Sequence, residues 1–191
     1  MICIHGYKSG QNEKAREYYN KLHLKFPNSK RVSKLKALDY ESNNNLNEAL
    51  EIYTEMEDTF SFKQSINILK TQQRQKEAIE RLEDRLSVYM NDESSYLELA
   101  DLYTDGFRKA YCFEELILID PSNLEYFKRY AQCLVEIGSK EHLALALSVF
   151  KYLGSKTDIS VELEECLSKV KDRKLKAEIQ DLKEKLINIK E

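Results

Sequence analysis

The sequence predicts an all-α, right-handed α-solenoid of stacked helix hairpins that ends in a C-terminal capping helix. Three observations predict it. A small-then-bulky apolar pattern recurs along the chain, stop and start residues flank the predicted helices, and glycine and proline are scarce. The 191 residues include 5 Gly and 2 Pro, too few for an all-β chain that turns about every ten residues. A hairpin of two amphipathic helices cannot bury its apolar face alone, so copies must stack in a row.

The second helix of each hairpin is marked by an alanine that a bulky apolar residue follows four positions later. The alanine lets the helix approach its neighbour, and the bulky residue fills the space between hairpins. The clear copies are Ala15/Tyr19, Ala49/Tyr53, Ala78/Leu82 and Ala146/Phe150. A further copy at Ala110 has Glu114 in the bulky position, so Phe113 and Leu116 are expected to fill that space.

The spacing of these alanines identifies the type of repeat. Successive alanines are separated by 34, 29, 32 and 36 residues, and the tetratricopeptide repeat has a period of about 34 residues. We therefore predict four to five tetratricopeptide-like helix hairpins. The third hairpin departs most, because its first helix, near residues 62–71, is predicted to be short.

The first helices and the helix ends agree with this reading. Residues 96–103 follow the order aromatic-x-x-Leu-small-x-x-Tyr, which is typical of a first helix. Pro27 and Pro121 fall where second helices should stop, because proline blocks helix continuation. Three capping boxes are predicted to open the next helices, namely Ser122 with Glu125, Ser95 with Glu98 and Asn45 with Glu48.

The repeat pattern changes after Gly154. An apolar stripe with heptad spacing follows, formed by Leu175, Ile179, Leu182, Leu186 and Ile189. Two heptads are too few for an independent coiled coil, so we expect a terminal helix, interrupted near Asp172, that covers the last hairpin with a polar outer face. The predicted organisation is a repeat array over residues 1–153 and one or more capping helices over residues 159–191.

Composition and charge limit the classes of function. Apolar residues make up 42% and charged residues 33% of the chain, which suits a soluble helical protein. The net charge of −3 creates no field that attracts nucleic acid or an anionic membrane. No apolar run approaches the roughly 20 residues that span a bilayer, and the first residues lack the charged start of a signal peptide. We predict no transmembrane segment and no nucleic-acid partner.

The residues that usually carry chemistry are scattered. The 4 cysteines, Cys3, Cys112, Cys133 and Cys166, form no Cys-x-x-Cys pair and are predicted to be buried thiols. His5, His23 and His142 lie in distant hairpins and do not predict a metal or acid–base site. We therefore predict no catalytic residues, no metal and no cofactor, and a protein that is not an enzyme.

The 12 tyrosines, without any tryptophan, are the subtler signal. Tyrosine is enriched where both an apolar ring and a hydroxyl find partners. Core packing is the favoured role for most of them, including Tyr19, Tyr40, Tyr53 and Tyr103. The tyrosines that are candidates for the edge of a binding face include Tyr7, Tyr18, Tyr89, Tyr126 and Tyr152.

Residues of the first helices are expected to line the concave side of the array. By register, the predicted partner-binding residues are Arg31, Lys34, Lys128, Gln132 and Glu136. A carboxylate clamp needs Lys and Asn at i and i+4 on successive first helices. Here Lys34 is followed at i+4 by Leu38, and the preceding counterpart of Lys128 is followed by Asp101, which would repel a carboxylate. The pattern therefore favours a groove that is solvated or binds partners in another way over a carboxylate clamp.

Several segments resemble subunit 2 of the endoplasmic reticulum membrane protein complex, also called the tetratricopeptide repeat protein 35 family. The similarity covers roughly residues 18–150. It is carried by Glu48-Ala49-Leu50-Glu51-Ile52-Tyr53, by residues 96–103, and above all by Lys109-Ala110-Tyr111-Cys112-Phe113-Glu114-Glu115-Leu116 with its closing Pro121-Ser122-Asn123.

The resemblance implies a function. It implies a non-catalytic scaffold on the cytosolic face of the endoplasmic reticulum membrane, attached peripherally through the protein subunits of a membrane complex that inserts transmembrane segments. Family members carry further helices before the first repeat seen here, so the resemblance also implies that this chain is shortened at its N-terminus. The residues themselves leave open an alternative, a free soluble adaptor or co-chaperone that binds peptide or protein partners.

Overall fold

A computed structural model describes residues 12–56, 58–170 and 173–188, and every regular element in those ranges is an α-helix. Contacts divide the chain into two compact units, with the division between Arg81 and Leu82. The helices of the first unit are α1 Asn12–Lys25, α2 Lys30–Ser42, α3 Leu46–Thr54 and α4 Thr59–Thr71, and α5 Gln75–Val88 begins in it. The second unit contains the end of α5 and α6 Glu93–Leu102, α7 Gly106–Ile119, α8 Leu124–Ile137, α9 Lys140–Gly154, α10 Ser160–Lys169 and α11 Arg173–Asn188.

In the first unit each helix from α1 to α4 packs against the next one along the chain. One core cluster contains Tyr19 with Val32, Leu35 and Leu38. A second contains Ala37, Ala49, Tyr53 and Ile68, and Phe60 packs against both clusters. Sequential packing of this kind is what a stacked helix array requires.

In the second unit α6 to α9 pack in sequence, and α10 and α11 continue the alternation. Helix α10, the first helix of the last hairpin, packs on α8, the first helix of the preceding hairpin. Helix α11 packs on both α9 and α10. Ile159, Leu163 and Val170 of the α10 segment and Ile179 of α11 are buried. The last two helices therefore bury their apolar stripes against the preceding hairpin.

The small-then-bulky pattern predicted from sequence is confirmed. All five alanines are buried, and so are the residues predicted to fill the spaces beside them: Tyr19, Tyr53, Leu82, Phe113, Leu116 and Phe150. The departure at Glu114 is also explained, because Glu114 is exposed while Phe113 and Leu116 are inside. The i, i+4 spacing places each pair on one helix face, as expected.

The prediction that the third hairpin has a short first helix was wrong. Helix α4 has 13 residues, the same length as α2. It begins at Thr59 because the Asp58 side chain accepts hydrogen bonds from the backbone N–H groups of Phe60 (3.1 Å) and Ser61 (3.3 Å). An aspartate cap satisfies N–H groups that a helix start otherwise leaves unpaired.

Two of the predicted helix caps were also misplaced. Asn123, not Ser122, accepts from the N–H of Glu125 at the start of α8, because Ser122 donates its hydroxyl to Asp120 (2.6 Å). Ser95 lies buried inside α6, three residues after the cap position at Asp92. Asn45 does occupy the cap position of α3, but its side chain makes no capping hydrogen bond there.

The C-terminal segment contains two helices, since α10 ends at Lys169 and α11 begins at Arg173. The predicted interruption at Asp172 lies outside the described residues. Of the heptad stripe, Ile179 and Leu182 are buried, and the side chains of Leu175, Leu186 and Ile189 lie outside the described part. The division into a repeat array over 1–153 and a cap over 159–191 stays a prediction.

Three cysteines, Cys112, Cys133 and Cys166, are free and buried, as predicted, and Cys3 lies outside the described residues. Burial raises the pKa of the Cys112 thiol to about 12 and that of Cys133 to about 11. Among the described helices none is long and apolar enough to cross a membrane.

Candidate partner-binding surfaces

Lys34, a predicted partner-binding residue on α2, is engaged within the chain. Its Nζ lies 2.9 Å from Oδ1 of Asp58, the residue that caps α4. Burial raises the pKa of Asp58, but hydrogen bonds from Lys34 and Ser61 outweigh burial and lower it to about 2. The contact joins successive first helices of the first unit and keeps Asp58 ionised.

Lys128 on α8 is engaged in the same manner. Its Nζ lies 3.0 Å from Oε1 of Glu162 on α10, and the two side chains are 24% and 16% exposed. Glu162 follows Lys128 by 34 residues, so the ion pair joins equivalent positions of successive first helices. An ion pair this shielded is screened less by solvent than one on an open surface.

The other three predicted residues differ in exposure. Arg31 on α2 is exposed, Gln132 on α8 is half-buried, and Glu136 on α8 is exposed. Lys128, Gln132 and Glu136 follow one another at four-residue spacing and therefore lie along one side of α8. Arg31 and Lys34 belong to the first unit, and the α8 residues belong to the second.

Glu136 lines a cavity of about 870 Å³ in the second unit. Val135 and Leu143 contribute apolar surface, while Lys140 and Lys169 contribute ammonium groups. Lys169 pairs with Glu165 of its own helix at 2.7 Å. The lining thus mixes apolar, cationic and anionic groups, and its charge specifies no single ligand class.

A further cross-helix contact involves Asp101, the residue expected to repel a carboxylate. Arg129 Nη1 on α8 lies 3.9 Å from Oδ1 of Asp101 at the end of α6, and Arg129 Nε lies 3.6 Å from Oε1 of Glu125. These groups are more exposed than the Lys128–Glu162 pair, so solvent weakens their contribution.

Hydrogen bonds from tyrosine to glutamate form a set of contacts that sequence reasoning missed. Tyr53 on α3 donates to Glu41 on α2 (3.1 Å), and Tyr103 donates to Glu83 on α5 (2.6 Å). Tyr130 on α8 donates to Glu114 on α7 (2.5 Å). The pKa of each of the three hydroxyls is raised, mainly because the hydroxyl is buried and secondly because a glutamate lies beside it. The partners stand 12 to 20 residues apart in sequence, so no local spacing reveals them.

The tyrosines that were candidates for the edge of a binding face differ in exposure. Tyr18, Tyr89 and Tyr152 are exposed. Tyr126 is buried on α8 and donates its hydroxyl to Glu93 on α6, so of its two candidate roles it takes core packing and not the edge of a binding face. Tyr7 lies outside the described residues.

Comparison with known proteins identifies the family. The sequence model of the family described as the EMC2 TPR-like repeat domain matches residues 18–149 of this chain. The chain belongs to this family. It is 32% identical over 158 residues to ER membrane protein complex subunit 2-A of Xenopus laevis, covering 78% of this chain and 53% of that protein. It is also 32% identical over 152 residues to ER membrane protein complex subunit 2 of Dictyostelium discoideum, covering 75% and 47%.

This member of the family therefore spans about half the length of the curated relatives it matches. Among solved structures, the crystal structure of MamA superposes with a TM-score of 0.58 at 16% identity, covering 79% of this chain and 91% of that one. At that identity the superposition shows the fold alone. The fold class is the TPR-like α-solenoid that the sequence predicts.

Proposed function

We propose that this chain is a non-catalytic scaffold subunit of the endoplasmic reticulum membrane protein complex. It lies peripherally on the cytosolic side of the membrane and supports the insertion of transmembrane segments. Family membership over residues 18–149 carries the proposal, because relatives with 32% identity are named as subunits of that complex. Stacked helix hairpins suit this role, since they offer extended surfaces to several partners at once.

The ion pairs of Lys34 and Lys128 support this function over a carboxylate-binding co-chaperone. A clamp needs cations that are available to the carboxylate of an incoming peptide. Lys34 and Lys128 are instead held by Asp58 and Glu162 at 2.9 and 3.0 Å. A peptide carboxylate would have to displace an internal carboxylate at each position, and the exchange gains little.

Binding without catalysis is also part of the proposal. The thiols of Cys112 and Cys133 have pKa values raised by burial to about 12 and 11, which makes them poor nucleophiles. In residues 12–56, 58–170 and 173–188, no group of three or more His, Cys, Asp or Glu side chains is arranged to hold a metal ion. We propose no cofactor and no nucleic-acid partner.

The residues Arg31, Lys34, Lys128, Gln132 and Glu136 remain proposed contacts with partner subunits. Arg31 and Glu136 are the exposed members, so a partner reaches them without disturbing the fold. Lys34 and Lys128 would first have to leave their ion pairs, so their substitution should affect stability more than binding. The cap over residues 159–191 is proposed to close the array.

A mild-detergent affinity purification of the tagged full chain, expressed in the cells that encode it, tests the function. We expect membrane-embedded complex subunits to co-purify, identified by mass spectrometry against an untagged control. Arg31→Glu and Glu136→Lys should reduce their recovery, while Lys25→Glu, an exposed change at the end of α1, should not. Recovery of soluble chaperones alone would defeat the proposal.

The cytosolic location has a separate test. Intact microsomes carrying the tagged chain are treated with protease with and without detergent. A chain on the cytosolic side is digested in both samples. Protection that only detergent removes would place the chain in the lumen and overturn this part of the proposal.

A further inference from the structure

The segment at the end of α5 presents three consecutive apolar side chains to solvent. Val88, Tyr89 and Met90 are 70%, 56% and 71% exposed. Single exposed apolar residues are ordinary on protein surfaces, but contiguous exposed apolar surface often marks an interaction site. We call these three residues the α5 tip.

The backbone beneath the α5 tip is already ordered. Arg85 Nε donates to Asp92 Oδ2 (2.5 Å), and the Arg85 guanidinium lies 5.1 Å from the centre of the Tyr89 ring. Asp92 also accepts from the Ser95 hydroxyl (3.0 Å), and its N–H donates to the carbonyl of Tyr89 (3.0 Å). A surface fixed before binding loses little conformational entropy when a partner arrives.

The surroundings of the α5 tip are acidic. Asp84 is exposed and lies one helical turn before Val88, on the same face of α5. The carboxylates of Glu83 and Glu93 accept hydrogen bonds from the hydroxyls of Tyr103 and Tyr126.

Two cations lie close to these acids. Arg85 and Asp92 cancel each other's charge as an ion pair. The guanidinium of Arg108 lies 5.4 Å from the Tyr103 ring and offsets part of the charge on Glu83. Among these named residues the four acids, Glu83, Asp84, Asp92 and Glu93, outnumber the two cations, Arg85 and Arg108, so their net charge is negative.

We propose that the α5 tip is a docking surface for a basic protein segment, in which an apolar or aromatic side chain is flanked by Lys or Arg. The apolar tip receives the anchor side chain, and the acidic flanks attract the cations. The same charge disfavours an anionic bilayer, whose headgroups Asp84 and Glu93 would repel.

The proposed function suggests where such segments occur. Cytosolic loops beside transmembrane helices carry an excess of Lys and Arg, so a subunit on the cytosolic face meets many segments of this composition. Only this step depends on the proposed function. The chemistry of the α5 tip stands on the exposed residues and their charges.

A peptide selection tests the proposal. A phage-displayed library of random 12-residue peptides is panned against the purified full chain, with counter-selection against the double variant Val88→Ser/Met90→Ser. Enriched peptides should carry an apolar or aromatic residue flanked by Lys or Arg. Enrichment of acidic peptides, or no enrichment above the counter-selected background, would overturn the proposal.

Affinity measurements on the best enriched peptide sharpen the test. By fluorescence anisotropy, the double variant should bind at least about tenfold more weakly, as expected for loss of the anchor contacts. Asp84→Lys should weaken binding by about threefold, and this loss should shrink at high salt. Val161→Ser is the matched control, because Val161 is an equally exposed valine (75%) on α10. It should bind like the parent chain, and circular dichroism should show all variants folded.

Two further results separate the alternatives. Flotation with phosphatidylcholine–phosphatidylserine vesicles should leave the chain at the bottom of the gradient. Flotation that depends on Val88 and Met90 would make the α5 tip a membrane contact and overturn the proposal.

Selective peptide binding together with recovery of soluble chaperones alone would remove the proposed function and leave the docking surface standing. Normal recovery of the membrane subunits without selective peptide binding would do the reverse.

Discussion

The ion pair between Lys34 and Asp58 makes a testable prediction about stability and acid sensitivity. Asp58→Asn removes the charge and keeps an effective helix cap, because asparagine and aspartate cap helices about equally well. The pKa of Asp58 falls from its ordinary value of 3.8 to about 2, which corresponds to about 2.4 kcal/mol of stabilisation. The Asp58 side chain is 36% exposed, so screening by solvent reduces this to about 1 kcal/mol.

The sign of the pH dependence follows from the direction of the shift. The pKa in the folded state lies below that in the unfolded state, so folding favours the ionised carboxylate. The stabilisation is therefore complete above about pH 4 and is lost as the pH falls towards 2. Asp58→Asn should be less stable than the parent chain by about 1 kcal/mol at pH 7, and the two should converge near pH 2.

Urea unfolding at a series of pH values measures both quantities. A double-mutant cycle with Lys34→Met isolates the ion pair from the helix cap, and its coupling energy should be about 0.5–1 kcal/mol. Equal stability at pH 7, or a difference that persists undiminished at pH 2.5, would refute the reasoning. Zero coupling would mean that Lys34 is available to a partner after all.

Three further predictions concern the core, one turn and the thiols. Phe150→Ala should lower the free energy of unfolding by about 3–5 kcal/mol, because Phe150 is fully buried, whereas Val161→Ala should change it by less than about 0.5 kcal/mol. Urea titrations measure the free energy of unfolding of both variants and of the parent chain. Gly138→Ala should lower the free energy of unfolding by about 1 kcal/mol, and with it the melting temperature, because Gly138 has φ +72° at the end of α8. Cys112 and Cys133 should resist iodoacetamide at pH 8 until urea unfolds the chain. Peptide mass spectrometry measures this labelling, and rapid native alkylation of Cys112 would contradict it.

The second helices could be predicted because their signal is local. An alanine and a bulky residue four positions apart share a helix face, and both members had to be buried for hairpins to stack. The pairs Ala49/Tyr53 and Ala146/Phe150 are buried accordingly. Helix starts were predicted less well, because several polar residues near a boundary compete for the same N–H groups. Asn123 caps α8 since Ser122 is held by Asp120.

The candidate partner-binding residues show what the sequence could not predict. Register placed Lys34 and Lys128 on the first helices, but it did not reveal the acids that hold them. Asp58 sits in the loop before α4, and Glu162 belongs to a segment that sequence reasoning treated only as a cap. Those contacts form only after successive first helices are stacked. A pattern within one hairpin therefore carries no information about them.

The same contacts bear on how the chain recognises partners. Lys34 and Lys128 hold neighbouring helices together, so a partner that competes for them would have to break contacts within the fold. Val88, Tyr89 and Met90 present exposed apolar surface beside the carboxylates of Asp84 and Glu93. A partner that binds Lys34 or Lys128 must first break an ion pair of the fold, whereas a partner that binds the exposed side chains of the α5 tip need not. Recognition at the α5 tip is therefore favoured over capture of the two paired lysines.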